Sequence, residues 1–169
     1  MNKESSKYGI NRKLGVGENR IKILFVCHGN ICRSPMCEFI LKDMIRQKGL
    51  EDEFYIESCA TSTEEIGRSL HPGAKRKLDE MGIPNERRRA RQLTREDYDA
   101  FDYLICMDEW NVRNIMRIIR RDPENKVHML LEYAGERREI ADPWYTGNFD
   151  ETYEDLIRGC TGFLQYLGF

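Results

Sequence analysis

The chain lacks any run of about 18 consecutive apolar residues, the length a membrane-spanning helix needs. Met1 to Arg20 are polar and carry no apolar core of the kind a secretory signal has, so no export signal is read there. Charge of one sign is also missing. The 27 Lys and Arg face 29 Asp and Glu, for a net charge of −2, whereas a general nucleic-acid binder shows a basic surplus. There is no internal repeat and no low-complexity segment. Membrane and nucleic acid are therefore not expected partners, and a cytoplasmic location is the expectation.

What is present fits one domain. A length of 169 residues with 40 % hydrophobic content can build a single core. A chain of roughly 150 residues buries about 68–70 % of its unfolded surface, so neither disulfides nor a metal is needed as a staple. The six cysteines are even in number and could form a disulfide framework. Three of them, Cys59, Cys106 and Cys160, sit in apolar or small-residue runs, where a thiol acts as a small hydrophobe. Reduced cysteines are the expectation. Residues 1–20 read as a polar, flexible extension and residues 21–169 as the domain.

Short β-branched segments alternate with helical patterns. Ile21 to Val26 reads as a buried strand. Ser34 and Pro35 look like a helix N-cap and first helical position, followed by Met36, Phe39, Ile40, Met44 and Ile45 at helical spacing. Phe54–Ile56, Tyr103–Met107 and Val127–Leu130 read as further strands. Helices are expected from His71-Pro72 to near Gly82, from about Asp108 to Arg121, and from Phe149 to Leu167. This alternation implies an α/β fold: a doubly wound, four-stranded parallel sheet flanked by helices. Such sheets bind ligands at the carboxyl ends of their strands.

The first strand is followed by Cys27-His28-Gly29-Asn30-Ile31-Cys32-Arg33-Ser34-Pro35. A cysteine, five residues, an arginine and a hydroxyl residue form one arc between a strand end and a helix start. Such an arc suits a phosphate dianion. Backbone N–H groups converge on it, the helix N-terminus adds partial positive charge, and the planar fork of Arg33 grips two oxygens at once. His28, Gly29, Asn30, Ile31, Cys32, Arg33 and Ser34 are the expected phosphate ligands. Gly29 and Asn30 tolerate the left-handed backbone a tight curl needs. The same field favours the thiolate of Cys27, a nucleophile placed for in-line attack on phosphorus. Zinc would want four ligands, and Cys27, Cys32 and Cys37 offer only three. A nucleotide-binding loop would end in Gly-Lys-Ser/Thr, and no lysine stands here. Neither a metal nor a cofactor is expected.

From Val26 to Met36 the chain resembles the low-molecular-weight protein tyrosine phosphatases. Gly67-Arg68-Ser69, Ala90-Arg91-Gln92, Asp99 to Asn111 and Ile140-Ala141-Asp142-Pro143-Trp144-Tyr145 extend the resemblance, which runs from about Ile21 to Leu167. It implies hydrolysis of phosphotyrosine monoesters through a phosphocysteine, with inorganic phosphate as product and tyrosine-phosphorylated proteins or peptides as partners. Cys27 matches the nucleophile, Arg33 the phosphate ligand and Asp142 the general acid. Asn30 and Ser58 match loop supports, Ser34 the thiolate's hydroxyl partner, and Cys32 the cysteine that pairs with the nucleophile under peroxide. Trp144 and Tyr145 match the aromatic wall of the pocket. Met81 falls near where some members carry a supporting histidine, so that support is expected to be absent. Thr146 reads as an insertion before Gly147.

A proton donor for a phenolate is what the chemistry asks of Asp142. Ile31 on the rim favours tyrosine, since the arginine-phosphatase branch of the resembling family tends to carry threonine there. A protein arginine phosphatase of the same family remains an alternative. An arsenate-reductase-like thiol enzyme is another, though Cys59, Cys106 and Cys160 are too widely spaced to supply its local pair. Arg87-Arg88-Arg89 with Arg91 reads as a solvated face, with docking of acidic phosphopeptides as the second reading. His71 reads as a surface or capping residue and His128 as structural.

Overall fold

The structure is a computed structural model that describes residues 20–169. The expectation of a flexible segment over residues 1–20 lies, Arg20 apart, outside the described residues. Four strands form one sheet: β1 (Ile21–Cys27), β2 (Phe54–Ala60), β3 (Tyr103–Cys106) and β4 (Val127–Met129). Their order is β2-β1-β3-β4 and every pairing is parallel. The helices are α1 (Arg33–Gln47), α2 (Pro72–Glu80), α3 (Arg95–Ala100), α4 (Glu109–Ile119), α5 (Pro143–Thr146) and α6 (Phe149–Leu167). Short 3₁₀ turns occupy Glu51–Glu53 and Leu130–Ala134. Among the described residues, no helix is long and apolar enough to cross a membrane.

Period-two alternation distributes the central strands between two cores. Ile21, Ile23 and Phe25 of β1, with Tyr103 and Ile105 of β3, face α1 and α6. Leu24 and Val26, with Leu104 and Cys106, face α3 and α4. Both faces are covered, which is why β1 reads as a continuous apolar run. Helix α6 offers Leu156, Cys160, Phe163, Leu164 and Leu167 as one buried stripe at helical spacing. Each fully buried Leu or Phe contributes about 1.5–3 kcal/mol over an exposed one. Gly162 lets this helix approach the 3₁₀ turn after β4. A Cβ there would lie 2.3 Å from the Tyr133 carbonyl oxygen.

Among the differences from the sequence reading, three stand out. Strand β2 runs on through Ser58, Cys59 and Ala60, because these pair with Phe25, Val26 and Cys27. Helix α3 was not expected; Thr94 starts it with a reciprocal cap to Asp97. Helix α1 begins at Arg33 with Cys32 as N-cap, so Ser34 is not the cap. Its hydroxyl is engaged elsewhere.

Strand β1 lies between β2 and β3, which are reached by crossovers to opposite sides. The carboxyl end of β1 is therefore the point where strand order reverses, and Cys27 is its last residue.

Candidate active site

Backbone bonds pin both ends of the loop after β1. Cys27 and His28 carbonyls accept from Thr61 (2.9 Å) and Ser62 (3.0 Å), and the Ile31 carbonyl accepts from His71 N–H (2.9 Å). Within the loop Asn30 takes a left-handed backbone at φ 59°, as its residue type allows. Gly29 does not adopt positive φ; it is small because a Cβ there would come within 3.2 Å of Glu65 Cγ.

The curl turns its donors on the sulfur. Asn30 N–H donates to Cys27 Sγ at 3.3 Å, and Ser34 Oγ lies 3.0 Å from it. Asn30 Nδ2 donates to Ser34 Oγ (2.8 Å) and to Ser58 Oγ (2.9 Å). With one of its lone pairs thus occupied, the Ser34 hydroxyl can aim its proton at the sulfur. Ser58 in turn donates to Glu38 Oε1 at 2.6 Å, and Glu38 is ion-paired with Lys42 at 2.6 Å. On its other side, Asn30 Oδ1 accepts from Arg88 Nη2 and from Arg91 N–H (3.3 Å). Asn30 is wholly buried. Such a satisfied buried network gives one loop geometry a clear advantage over its competitors.

The support expected to be missing near Met81 is thus supplied by Arg88. Met81 itself is exposed at the end of α2. The sequence reading gave Arg88 no such role, and a run of arginines gives no sign that one of them turns inward.

Arg33, only 2 % exposed, reaches across the mouth of the loop. Its Nη1 donates to Asp108 Oδ2 (2.6 Å) and to the Ile140 carbonyl (2.9 Å), and its Nη2 to Asp142 Oδ2 (3.4 Å). Burial alone would lower its pKa; the negative charges of Cys27, Asp108 and Asp142 outweigh burial and raise it. Asp108 stands at the carboxyl end of β3 and caps α4 through Asn111 N–H at 2.7 Å. The sequence reading placed Asp108 in the motif but gave it no role. Its position at a strand's carboxyl end in a parallel sheet was the available signal.

Asp142 caps the short helix α5 and holds Trp144 N–H at 3.0 Å through Oδ1. The cap turns Trp144 and Tyr145 outward, 54 % and 82 % exposed. The His71 ring meets Trp144 edge-on at 5.6 Å and stacks on Phe149 at 5.3 Å, while its Nδ1 caps α2. Cys27, Arg33, Asp142, Trp144 and Tyr145 line one small cavity of about 90 Å³ together with Ile31 and Cys32. Glu64 and Glu65 join its rim, where Glu64 pairs with His28 at 3.0 Å. A larger concavity exists nearby, but the sulfur is not in it. All six cysteines are free and buried. Burial and the charges of Cys27 and Asp142 push the Cys32 thiol up, so it is held protonated. Among the described residues, His128 bonds within its own turn: Nε2 donates to the Asn125 carbonyl (2.8 Å), and Nδ1 lies 3.4 Å from Glu132 Oε2.

A thiol, a buried guanidinium and a carboxyl group line a cavity large enough for a small anion, an arrangement that suits phosphate-ester hydrolysis. The family model described as low molecular weight phosphotyrosine protein phosphatase matches residues 22–168. The chain belongs to that family. It is 37 % identical over 142 residues to the low molecular weight protein-tyrosine-phosphatase YfkJ of Bacillus subtilis, covering 83 % of this chain and 91 % of the relative. The pig low molecular weight phosphotyrosine protein phosphatase is 37 % identical over 148 residues, covering 85 % and 93 %. The crystal structure of YfkJ superposes with a TM-score of 0.83 at 36 % identity, over 86 % of this chain and 93 % of that one. The structure of a Drosophila arginine phosphatase superposes at 0.77 with 28 % identity, over 85 % and 96 %. The phosphatase is thus a cysteine-based enzyme on a four-stranded parallel sheet.

Proposed function

We propose that this phosphatase hydrolyses phosphotyrosine monoesters of proteins or peptides through a phosphocysteine. The observation that carries the reading is the cavity itself: Cys27 Sγ with two local donors, faced by Arg33 and Asp142 and walled by Trp144 and Tyr145. The phosphate dianion sits in the 28–34 loop, held by loop N–H groups, the start of α1 and Arg33. Cys27 attacks phosphorus in line, and the P–O bond to the phenol breaks as Asp142 gives its proton to the leaving oxygen. The Asp142 carboxylate then takes a proton from water as that water attacks the phosphocysteine. Inorganic phosphate leaves and the thiolate returns. The loop that binds the substrate is also matched to the spread charge of the transition state.

Residue type is selected by reach and by face. A phenyl ring stacks against Trp144 and Tyr145, whereas phosphoserine brings no ring to stack. Ile31 adds an apolar rim. A second reading, phosphoarginine, is favoured by Glu64 and Glu65 on the rim, which suit a cationic guanidinium. Against it, His28 and Arg68 already pair with these two acids, at 3.0 Å each.

The test is initial rates on phosphotyrosine, phosphoserine and phosphoarginine peptides with EDTA present and Cys27→Ser as control. Release from phosphotyrosine alone, lost in the control while phosphate binding is kept, is expected. Faster release from phosphoarginine would keep the mechanism and overturn the substrate assignment.

A further inference from the structure

Beside the catalytic cavity runs a second groove of about 1080 Å³. Ile31 and Trp144 line both, so the groove opens directly from the catalytic pocket. Arg68, Arg87, Arg88 and Arg89 line it, and among the described residues no Asp or Glu does. Arg68 leans on Glu65 at 3.0 Å, and Arg89 Nη1 donates to the Gly67 carbonyl at 3.2 Å. Arg87 and Arg89 are exposed. Arg88 holds the loop through Nη2, and its Nη1 is buried with no acceptor among the described residues. Arg87 and Arg89 thus offer two exposed guanidinium groups to a concavity that, among the described residues, no Asp or Glu lines. The catalytic cavity itself is lined by two acids, Glu64 and Glu65, and Glu65 is the partner of Arg68. The groove lining is therefore basic, while the lining of the catalytic cavity carries the two acids.

We propose that this groove receives acidic side chains flanking the phosphotyrosine of a peptide substrate, on the side of the peptide that runs past Trp144. The proposal rests on the phosphotyrosine reading above and adds sequence preference to it. The groove is more than ten times the volume of the catalytic cavity (1080 against 90 Å³), so it suits a length of chain rather than a single phosphate. Carboxylates find planar, bidentate partners in arginine. Complementary charge of this kind raises encounter rate and sets register more than it raises raw affinity. The preference is therefore expected to show in kcat/KM and to fade with salt.

The experiment compares phosphotyrosine peptides that carry Asp and Glu on one flank, on the other flank, on neither, or Lys on both. It uses the full chain and the double variant Arg87→Gln with Arg89→Gln, both away from the loop. Hydrolysis of p-nitrophenyl phosphate, which has no flanks, reports whether the catalytic pocket is intact. One acidic flank is expected to raise kcat/KM over the neutral peptide roughly three- to tenfold at low salt, as two partly exposed ion pairs would. The double variant is expected to lose that preference while hydrolysing p-nitrophenyl phosphate as before. Equal rates on acidic and neutral peptides, or a preference that survives in the variant, would overturn the proposal. Binding to phosphatidylserine vesicles that the variant abolishes, with no peptide preference, would reassign the groove to a membrane surface. Loss of p-nitrophenyl phosphate and all peptide hydrolysis in the unaltered chain would overturn the phosphatase reading, and this proposal with it.

Discussion

Replacing Asp108 by Asn tests whether Arg33 is held by charge or only by shape. Asp108 Oδ2 lies 2.6 Å from Arg33 Nη1, and the two side chains are 15 % and 3 % exposed. Removing one partner of a buried pair outright costs about 3–5 kcal/mol. The Ile140 carbonyl remains on Nη1 and Asp142 on Nη2, so the guanidinium stays partnered and about 2 kcal/mol, below that range, is the reasoned loss. For a domain of this size about 1 kcal/mol moves Tm by roughly 2–4 °C, so the variant should melt about 4–8 °C lower. Asn has one side-chain oxygen where Asp108 uses both, so that oxygen keeps the cap of α4 and the amide NH2 is left facing Arg33. Loss of charge at the helix start adds about 0.3–1 kcal/mol. Phosphate separates the two effects. An anion bound in the loop supplies Arg33 with the counter-charge the variant lacks, so saturating phosphate should raise Tm more in the variant than in the parent. The helix contribution would be the same with and without phosphate. Differential scanning fluorimetry with and without phosphate reads both. A Tm equal to the parent's, or an identical phosphate shift, would refute the reasoning.

Three other expectations follow from particular contacts. Asp142→Ala should slow hydrolysis most for esters with poor leaving groups, measured on a series of aryl phosphates; equal slowing across the series would remove its role as acid. Peroxide should inactivate reversibly: it oxidises the Cys27 thiolate to a sulfenic acid, and Cys32 displaces water from that sulfur to form a disulfide. Loss of the Cys27 charge removes one of the causes that keep the Cys32 thiol protonated, and a Cys32→Ser variant that recovers as fully under thiol would sink this route. Gly162→Ala would place a Cβ 2.3 Å from the Tyr133 carbonyl oxygen, a backbone atom with no room to yield. The urea midpoint should drop in line with about 1–3 kcal/mol, and an unchanged midpoint would show that α6 slides freely over the turn.

The parts of the site that sequence reveals are those contiguous in the chain. Cys27, Asn30, Arg33 and Ser34 lie in eight residues between a β-branched run and a helical pattern, and local rules suffice to join them. Asp142 needed the family likeness, because Asp-Pro by itself is a common turn start. Ser58 needed the family likeness, since nothing in its own neighbourhood marks it. What escaped are residues brought in by the fold: Asp108 lies 75 residues from Arg33, and Arg88 lies 58 from Asn30. Glu38 escaped for another reason: it sits on α1 among residues that read only as helix, and its partner Ser58 is on the neighbouring strand.

The Arg88 case shows why the miss is physical. In the run Arg87-Arg88-Arg89 the three side chains are chemically identical, and composition reads them as one solvated face. Backbone geometry alone separates them. Ala90 and Gly67 exchange backbone hydrogen bonds with the Arg68 region, Gly67 N–H to Ala90 O and Ala90 N–H to Arg68 O, each at 2.8 Å. This ladder fixes the alternation of the segment, so that Arg88 turns under the loop while Arg87 and Arg89 stay exposed beside it. One arginine run thereby does two jobs. Its middle residue holds Asn30, and hence the sulfur's donors, in place. Its outer residues face the groove through which a substrate chain would pass. A guanidinium keeps its charge across the whole working pH range, so this support would not switch off as a histidine's would, and loop geometry should be insensitive to pH between about 5 and 8.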